Sequence, residues 1–143
     1  MKRIIIGLAA AAVLVTGVAV ATPTRGFTAT LLGATSVDHI SIDVDDPSNV
    51  VFARVEIEPG GTSGWHSHPS HVFVLVERGR AVHIDGDTCE RTVLRKGDVF
   101  MESPGEVHRV LNNEDRSAFF IVNFVGLPPE TPTLISEPNP CGN

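Results

Sequence analysis

From residue 40 onward, apolar and polar side chains alternate with the period of an extended strand. Ile40, Ile42 and Val44 alternate with Ser41, Asp43 and Asp45. Val51, Ala53, Val55 and Ile57 alternate with Phe52, Arg54, Glu56 and Glu58. A period of two places one row of side chains in a core and the other in solvent. Turn-forming clusters divide the remainder. Pro59-Gly60-Gly61 precedes predicted strands over 62–68 and 71–77. Arg78-Gly79-Arg80 precedes 81–84, and Asp85-Gly86-Asp87 precedes 91–94. Lys96-Gly97-Asp98 precedes 99–103, Pro104-Gly105 precedes 107–112, and Asn112 to Asp115 precedes 117–124. No segment holds ten residues at helical period. Eight or nine short strands at regular spacing predict an all-β sandwich or closed barrel, closure being an economical way to hide sheet edges. From Leu127 onward Pro128, Pro129, Pro132, Pro138 and Pro140 exclude a central strand, so 127–143 reads as a tail wrapping the outside.

The 143 residues are enough for one core. The N-terminus changes the picture of where that core works. Met1-Lys2-Arg3 is a short positive region, Ile4 to Val20 is almost wholly apolar, and Ala19-Val20-Ala21 has the small-x-small form of a signal-peptidase site. The expected organisation is a signal peptide over 1–21, a loose arm over 22–36, a barrel over 37–126 and the tail. The competing reading is an uncleaved anchor, with an apolar run at the short end of what spans a bilayer. Cleavage leaves nine Lys and Arg against 17 Asp and Glu, a net charge of −8. That balance argues against nucleic acid and against a stable hold on anionic membranes. Export to the periplasm or the exterior also gives the two cysteines a meaning: Cys89 and Cys141 are expected to form one disulfide that staples the tail to the body.

Six histidines supply the candidate chemistry: 39, 66, 68, 71, 83 and 108. In a strand, residues two apart share a face, so His66 and His68 can reach one metal ion. Gly60-Gly-Thr-Ser-Gly-Trp-His66-Ser-His68-Pro-Ser-His71, running on to Gly79, resembles the first sequence motif of the cupin superfamily. Gly97-Asp-Val-Phe-Met-Glu-Ser-Pro104-Gly105-Glu-Val-His108-Arg-Val-Leu-Asn112 resembles the second, with Pro104 one place late. The resemblance implies a jelly-roll barrel in which His66, His68 and His108 converge on one divalent ion. Imidazole donors leave zinc, iron, manganese, nickel and copper all open. It also implies a homodimer as a mild expectation.

One feature departs from the resemblance. Cupins of this pattern supply a Glu ligand after a gap of three or four residues from the second His, and those places hold Val72 and Phe73. His71 is the expected substitute, on the condition that Pro69-Ser70 breaks strand parity with a turn or bulge. Glu102, beside the Pro-Gly turn, is the weaker candidate. A site of three neutral imidazoles leaves an open coordination position and strongly acidifies bound water. His83 shares a face with Ala81 and Asp85 and reads as a surface residue, as does His39. Trp65 has the opposite parity to the His pair and reads as packing.

Three functions fit these residues. The first is a metal-dependent enzyme on a small organic molecule, of the dioxygenase or isomerase type that the resemblance implies. The second is a module that binds or senses a metal or small ligand. The third is a structural relative with vestigial histidines.

Overall fold

The computed structural model describes residue 25, residues 28–44 and residues 46–142. The expected signal peptide and the first residues of the arm lie outside that range. The described chain forms nine strands and no helix: β1 Asn49–Ile57, β2 His66–Ser67, β3 His71–Arg78, β4 Arg80–Asp85, β5 Arg91–Arg95, β6 Val99–Glu102, β7 His108–Leu111, β8 Ala118–Leu127 and β9 Ile135–Ser136. They make two antiparallel sheets, ordered β1-β8-β3-β6 and β5-β4-β7-β2-β9. This is the all-β jelly roll, a barrel flattened into two facing sheets.

The core lies between the sheets and follows strand parity. Val72, Val74 and Val76 of β3 and Phe120, Val122 and Phe124 of β8 face Ala81, Leu94 and Val110 of the other sheet. Burying each such side chain contributes roughly 1.5–3 kcal/mol. The opposite row of β1 is in solvent, with Phe52 73% exposed. Phe119, on the outer face of β8, is covered instead by the guanidinium groups of Arg54 and Arg78.

Two backbone features lock the strands into this order. Gly79 closes the β3–β4 turn at φ 89°, where a Cβ would lie 2.8 Å from both the Ala118 Cα and the Ser117 carbonyl. Only glycine is comfortable at that conformation and that distance. Asn112 is completely buried. Its amide donates to the carbonyls of Ile57 and Arg116, each at 2.8 Å, and its side-chain oxygen accepts from the Glu114 amide at 3.0 Å. It ties the β7–β8 turn to the end of β1.

One expectation differs from the structure. The alternation at 40–44 does not produce a strand, since no ladder partner meets that segment among the described residues. Within 28–36 one residue touches the body, Gly33 against the Gly97 carbonyl, Val99 and Leu75, while Leu31 and Leu32 are exposed. The tail contributes no central strand. Its two-residue β9 is an edge, paired with β2.

Candidate metal centre

Strand register builds the site. β2 and β7 pair with His66 directly opposite His108, which puts both imidazoles on the inner face with ring centroids 4.3 Å apart. His68, two residues on, adds its ring 4.8 Å from His66. The Gly105 amide donates to the His68 carbonyl at 2.9 Å, so the Pro104-Gly105 turn holds the end of the His pair in place. One nitrogen from each of His66, His68 and His108 lies within 4.8 Å of the others, and all three residues are buried.

The backbone also sets the state of each ring. Nδ1 of His66 meets the Gly64 carbonyl at 3.0 Å, and Nδ1 of His108 meets the Glu106 carbonyl at 3.0 Å. Nδ1 of His68 meets the Thr133 carbonyl of the tail. A carbonyl only accepts, so each Nδ1 carries the proton and each Nε2 presents its lone pair inward. Such carbonyl partners orient metal-binding imidazoles and fix their tautomer. The donor set therefore fits a divalent ion held by three Nε2 atoms.

Glu102 stands beside them, 4% exposed at the end of β6. Its Oε1 is 3.1 Å from His108 Nε2 and its Oε2 is 3.4 Å from His68 Nε2. Burial pushes the Glu102 carboxyl up. When the His68 ring is protonated, its Nε2 donates to Glu102, and that bond together with the charges of His108, His68 and His83 outweighs burial and holds the carboxyl below the ordinary range. Burial dominates at His66 and His108, which fall below the ordinary histidine value. Burial acts in the same direction on His68, but Glu102 and the Thr133 carbonyl together raise it.

The structure does not bring His71 into this group. The chain does bend at Pro69-Ser70, where it leaves the sheet of β2 for that of β3, but the bend does not turn His71 inward: Val72 takes the buried position and His71 is only half-buried. His71 opens β3 on the other face, opposite Val125. His83 also differs from its surface reading. Its face is the inner one, shared with buried Ala81. Its ring stacks on His108 at 5.3 Å between centroids, and His83 Nε2 lies 4.0 Å from Glu102 Oε1. His83, Glu102 and His108 form a second potential ligand group that shares His108 with the first. The parity of Glu102 with Phe100, and of His83 with Ala81, was the available signal for both.

A cavity of about 220 Å³ opens onto the three histidines. Its walls are otherwise nearly all apolar, with Phe100, Phe120, Phe124, Val51 and Val55 among the lining residues. Thr133 and Leu134 of the tail form part of the same wall. The tail is held there three ways. β9 pairs with β2, Ser67 Oγ donates to Glu137 at 2.8 Å, and Cys141 is joined to Cys89. That disulfide is compatible with an extracellular or periplasmic protein.

The sequence profile described as a cupin domain matches residues 53–124, half of the chain, and the chain belongs to the cupin superfamily. Among curated proteins it is similar to an (R)-mandelonitrile lyase of Granulicella tundricola, 34% identical over 77 residues, covering 53% of this chain and 56% of the lyase. The match thus spans little more than half the length of that relative. Among solved structures it is similar to a cupin-like protein of Thermotoga maritima, at 29% identity and a TM-score of 0.51, over 55% of this chain and 58% of that one. It is also similar to a recombinant oxalate oxidase in complex with glycolate, at 26% identity and a TM-score of 0.53, over 61% of this chain and 45% of that one.

Proposed function

We propose that this chain is an exported, metal-dependent enzyme that transforms a small, largely apolar organic molecule. One observation carries the reading: three Nε2 lone pairs converge on one wall of a small cavity whose other walls are apolar. His66, His68 and His108 hold the ion, which is zinc, iron, manganese, nickel or copper. Bound there, the ion supplies Lewis-acid chemistry or, if iron or manganese, oxygen chemistry. The chain's own residues do the rest. Phe100, Phe120 and Phe124 take the apolar body of the substrate and exclude water, while Thr133 and Leu134 narrow the mouth.

The relatives are named for mandelonitrile and for oxalate. Burying a dianion among valines and phenylalanines is costly, so the walls favour a molecule with a hydrocarbon body and one oxygen donor. Oxygen-dependent cleavage, isomerisation and lysis all remain within that description. Export rests on the N-terminal pattern and is supported by the disulfide. We also propose a homodimer, supported by the edge position of β1 and the exposed Val50 and Phe52 on it. Light scattering of the mature protein tests that.

A second reading, a non-catalytic module for a metal or small ligand, has one observation in its favour. Among the described residues, Glu102 is the only ionisable side chain on the cavity wall besides the three histidines, and its pKa is held low, so it is a poor general acid. The test is turnover. The metal-loaded protein is incubated with hydroxynitriles, hydroxy acids, phenols, diketones and thiols, and both oxygen uptake and product NMR are followed. Conversion of at least one class is expected. Tight binding with no conversion of any class overturns the enzyme reading in favour of the module.

A further inference from the structure

Glu102 is the feature that the three-histidine description leaves without a role. It is a buried carboxylate at the metal wall, reaching from the opposite sheet. Its two oxygens lie 3.1 Å and 3.4 Å from His108 Nε2 and His68 Nε2. Both rings have Nδ1 committed to a backbone carbonyl, so the neutral rings point lone pairs at the carboxylate. Acceptor against acceptor at these distances repels unless a cation lies between. A proton relieves one contact at a time, whereas a single metal ion relieves both. Donor atoms bound at about 2.0–2.2 Å stand roughly 3.0–3.5 Å apart when they are neighbours around one metal. The contacts to His68 and His108 lie in the range of neighbours around an ion, whereas Glu102 groups within 4.8 Å with His108 and His83 and not with His66, so binding by all four takes a shift of the carboxylate toward His66.

We propose that Glu102 is the fourth protein ligand of the centre, delivered from β6 and not from β3. The inference rests on the three-histidine reading and deepens it. The carboxylate reduces the net charge of the centre from +2 to +1 and shifts its preference toward metals that accept a mixed nitrogen and oxygen set. His83, with Nε2 4.0 Å from Glu102 Oε1 and no hydrogen-bond partner of its own, limits how far the carboxylate can swing away.

The register offers a direct test. Val72 is the cross-strand partner of Glu102 in the β3–β6 pair, and it is fully buried on the same inner face. Partners of this kind have Cβ atoms only about 4.5–5.5 Å apart. A carboxylate moved from 102 to 72 still reaches the same wall. The probe is cobalt(II), titrated into the mature protein and read both as affinity and by its visible absorption bands. The variants are Glu102→Gln, which keeps shape, and the exchange Val72→Glu with Glu102→Val.

The expected result is one cobalt per wild-type chain, an affinity about 10–100-fold weaker in Glu102→Gln with displaced bands, and recovery of most of that loss in the exchange variant. A Glu102→Gln protein that matches the wild type in affinity and spectrum overturns the proposal and leaves the three-histidine site standing. Failure of a correctly folded exchange variant to regain affinity also overturns it, since the carboxylate then acts from position 102 by supporting the fold. If the exchange variant does not fold, the Glu102→Gln spectrum decides alone. A wild-type protein that takes up no cobalt removes the metal reading and this proposal together.

Discussion

The imidazole of His68 donates its Nδ1 hydrogen to the carbonyl of Thr133, 65 residues further along the chain. A ring in the candidate metal centre is thus oriented by the C-terminal tail, and the tail is held by the Cys89–Cys141 disulfide. The disulfide therefore acts on the site as well as on stability. It closes a loop across a sequence separation of 52 residues, for which chain entropy gives roughly 4 kcal/mol.

Replacing Cys89 and Cys141 by serine is expected to cost about 2–4 kcal/mol in chemical denaturation. It is also expected to weaken metal binding, because Thr133 no longer stays against His68. Equal metal affinity in the serine variant and the wild type would mean that β9 alone keeps the tail in place.

The turn carrying Cys89 has its own dependence on pH. Asp85 Oδ1 accepts from the amides of Asp87 and Thr88 and from the Thr88 hydroxyl, and these bonds hold its pKa below the ordinary value. A carboxylate with a depressed folded pKa stabilises above its unfolded pKa, about 3.9, and loses that contribution as pH falls through the folded one. Asp85→Ala is expected to lower stability by about 1 kcal/mol at pH 7. The difference between variant and wild type should shrink below about pH 4. A deficit that is unchanged at pH 2.5 would assign the effect to packing.

Asn112 tests the frame apart from the site. Asn112→Ala removes the side-chain partner of the buried Ile57 carbonyl, of the Arg116 carbonyl and of the Glu114 amide. The expected loss is about 2–4 kcal/mol in chemical denaturation, with metal stoichiometry unchanged in protein that remains folded. A loss below about 0.5 kcal/mol would contradict the role given to this residue.

Strand parity made much of this legible in the sequence. It placed His66 and His68 on one face, put the Val51, Ala53, Val55, Ile57 row inward, and left Phe52 outside. The proline content of 127–143 correctly kept the tail out of the sheet centres. Parity fails where it says nothing about partners. Ile40, Ile42 and Val44 alternate as well as any strand, but alternation specifies a face and not a hydrogen-bonding neighbour. For His83, the alternation with Asp85 was right and the inference of solvent was not. Asp85 sits at the strand end, where an inner-face residue can still reach water. His108 came only through the resemblance of its motif, since nothing local announces that it faces His66 across β2 and β7. His71 falls outside the site because the chain crosses to the other sheet at Pro69-Ser70 and starts β3 with His71 on the outer face, and Glu102 stands beside it because the β3–β6 register, a long-range property, sets it opposite Val72.

Metal uptake should follow pH in the direction set by His68. Its pKa is raised by Glu102 and Thr133, whereas those of His66 and His108 are lowered by burial. Protons therefore compete first at His68, and affinity is expected to fall as pH drops through a midpoint above the ordinary histidine value of about 6.5. Affinity flat from pH 7.5 to pH 5.5 would contradict this order of protonation.

In the proposed centre, His66, His68 and His108 hold one metal ion. Elemental analysis of the mature protein, purified without added metal or chelator, tests it beside His66→Ala and His108→Ala. Close to one transition-metal ion per wild-type chain and almost none in either folded variant are expected. Metal content that is negligible in the wild type, or equal in all three proteins, would contradict the proposed centre.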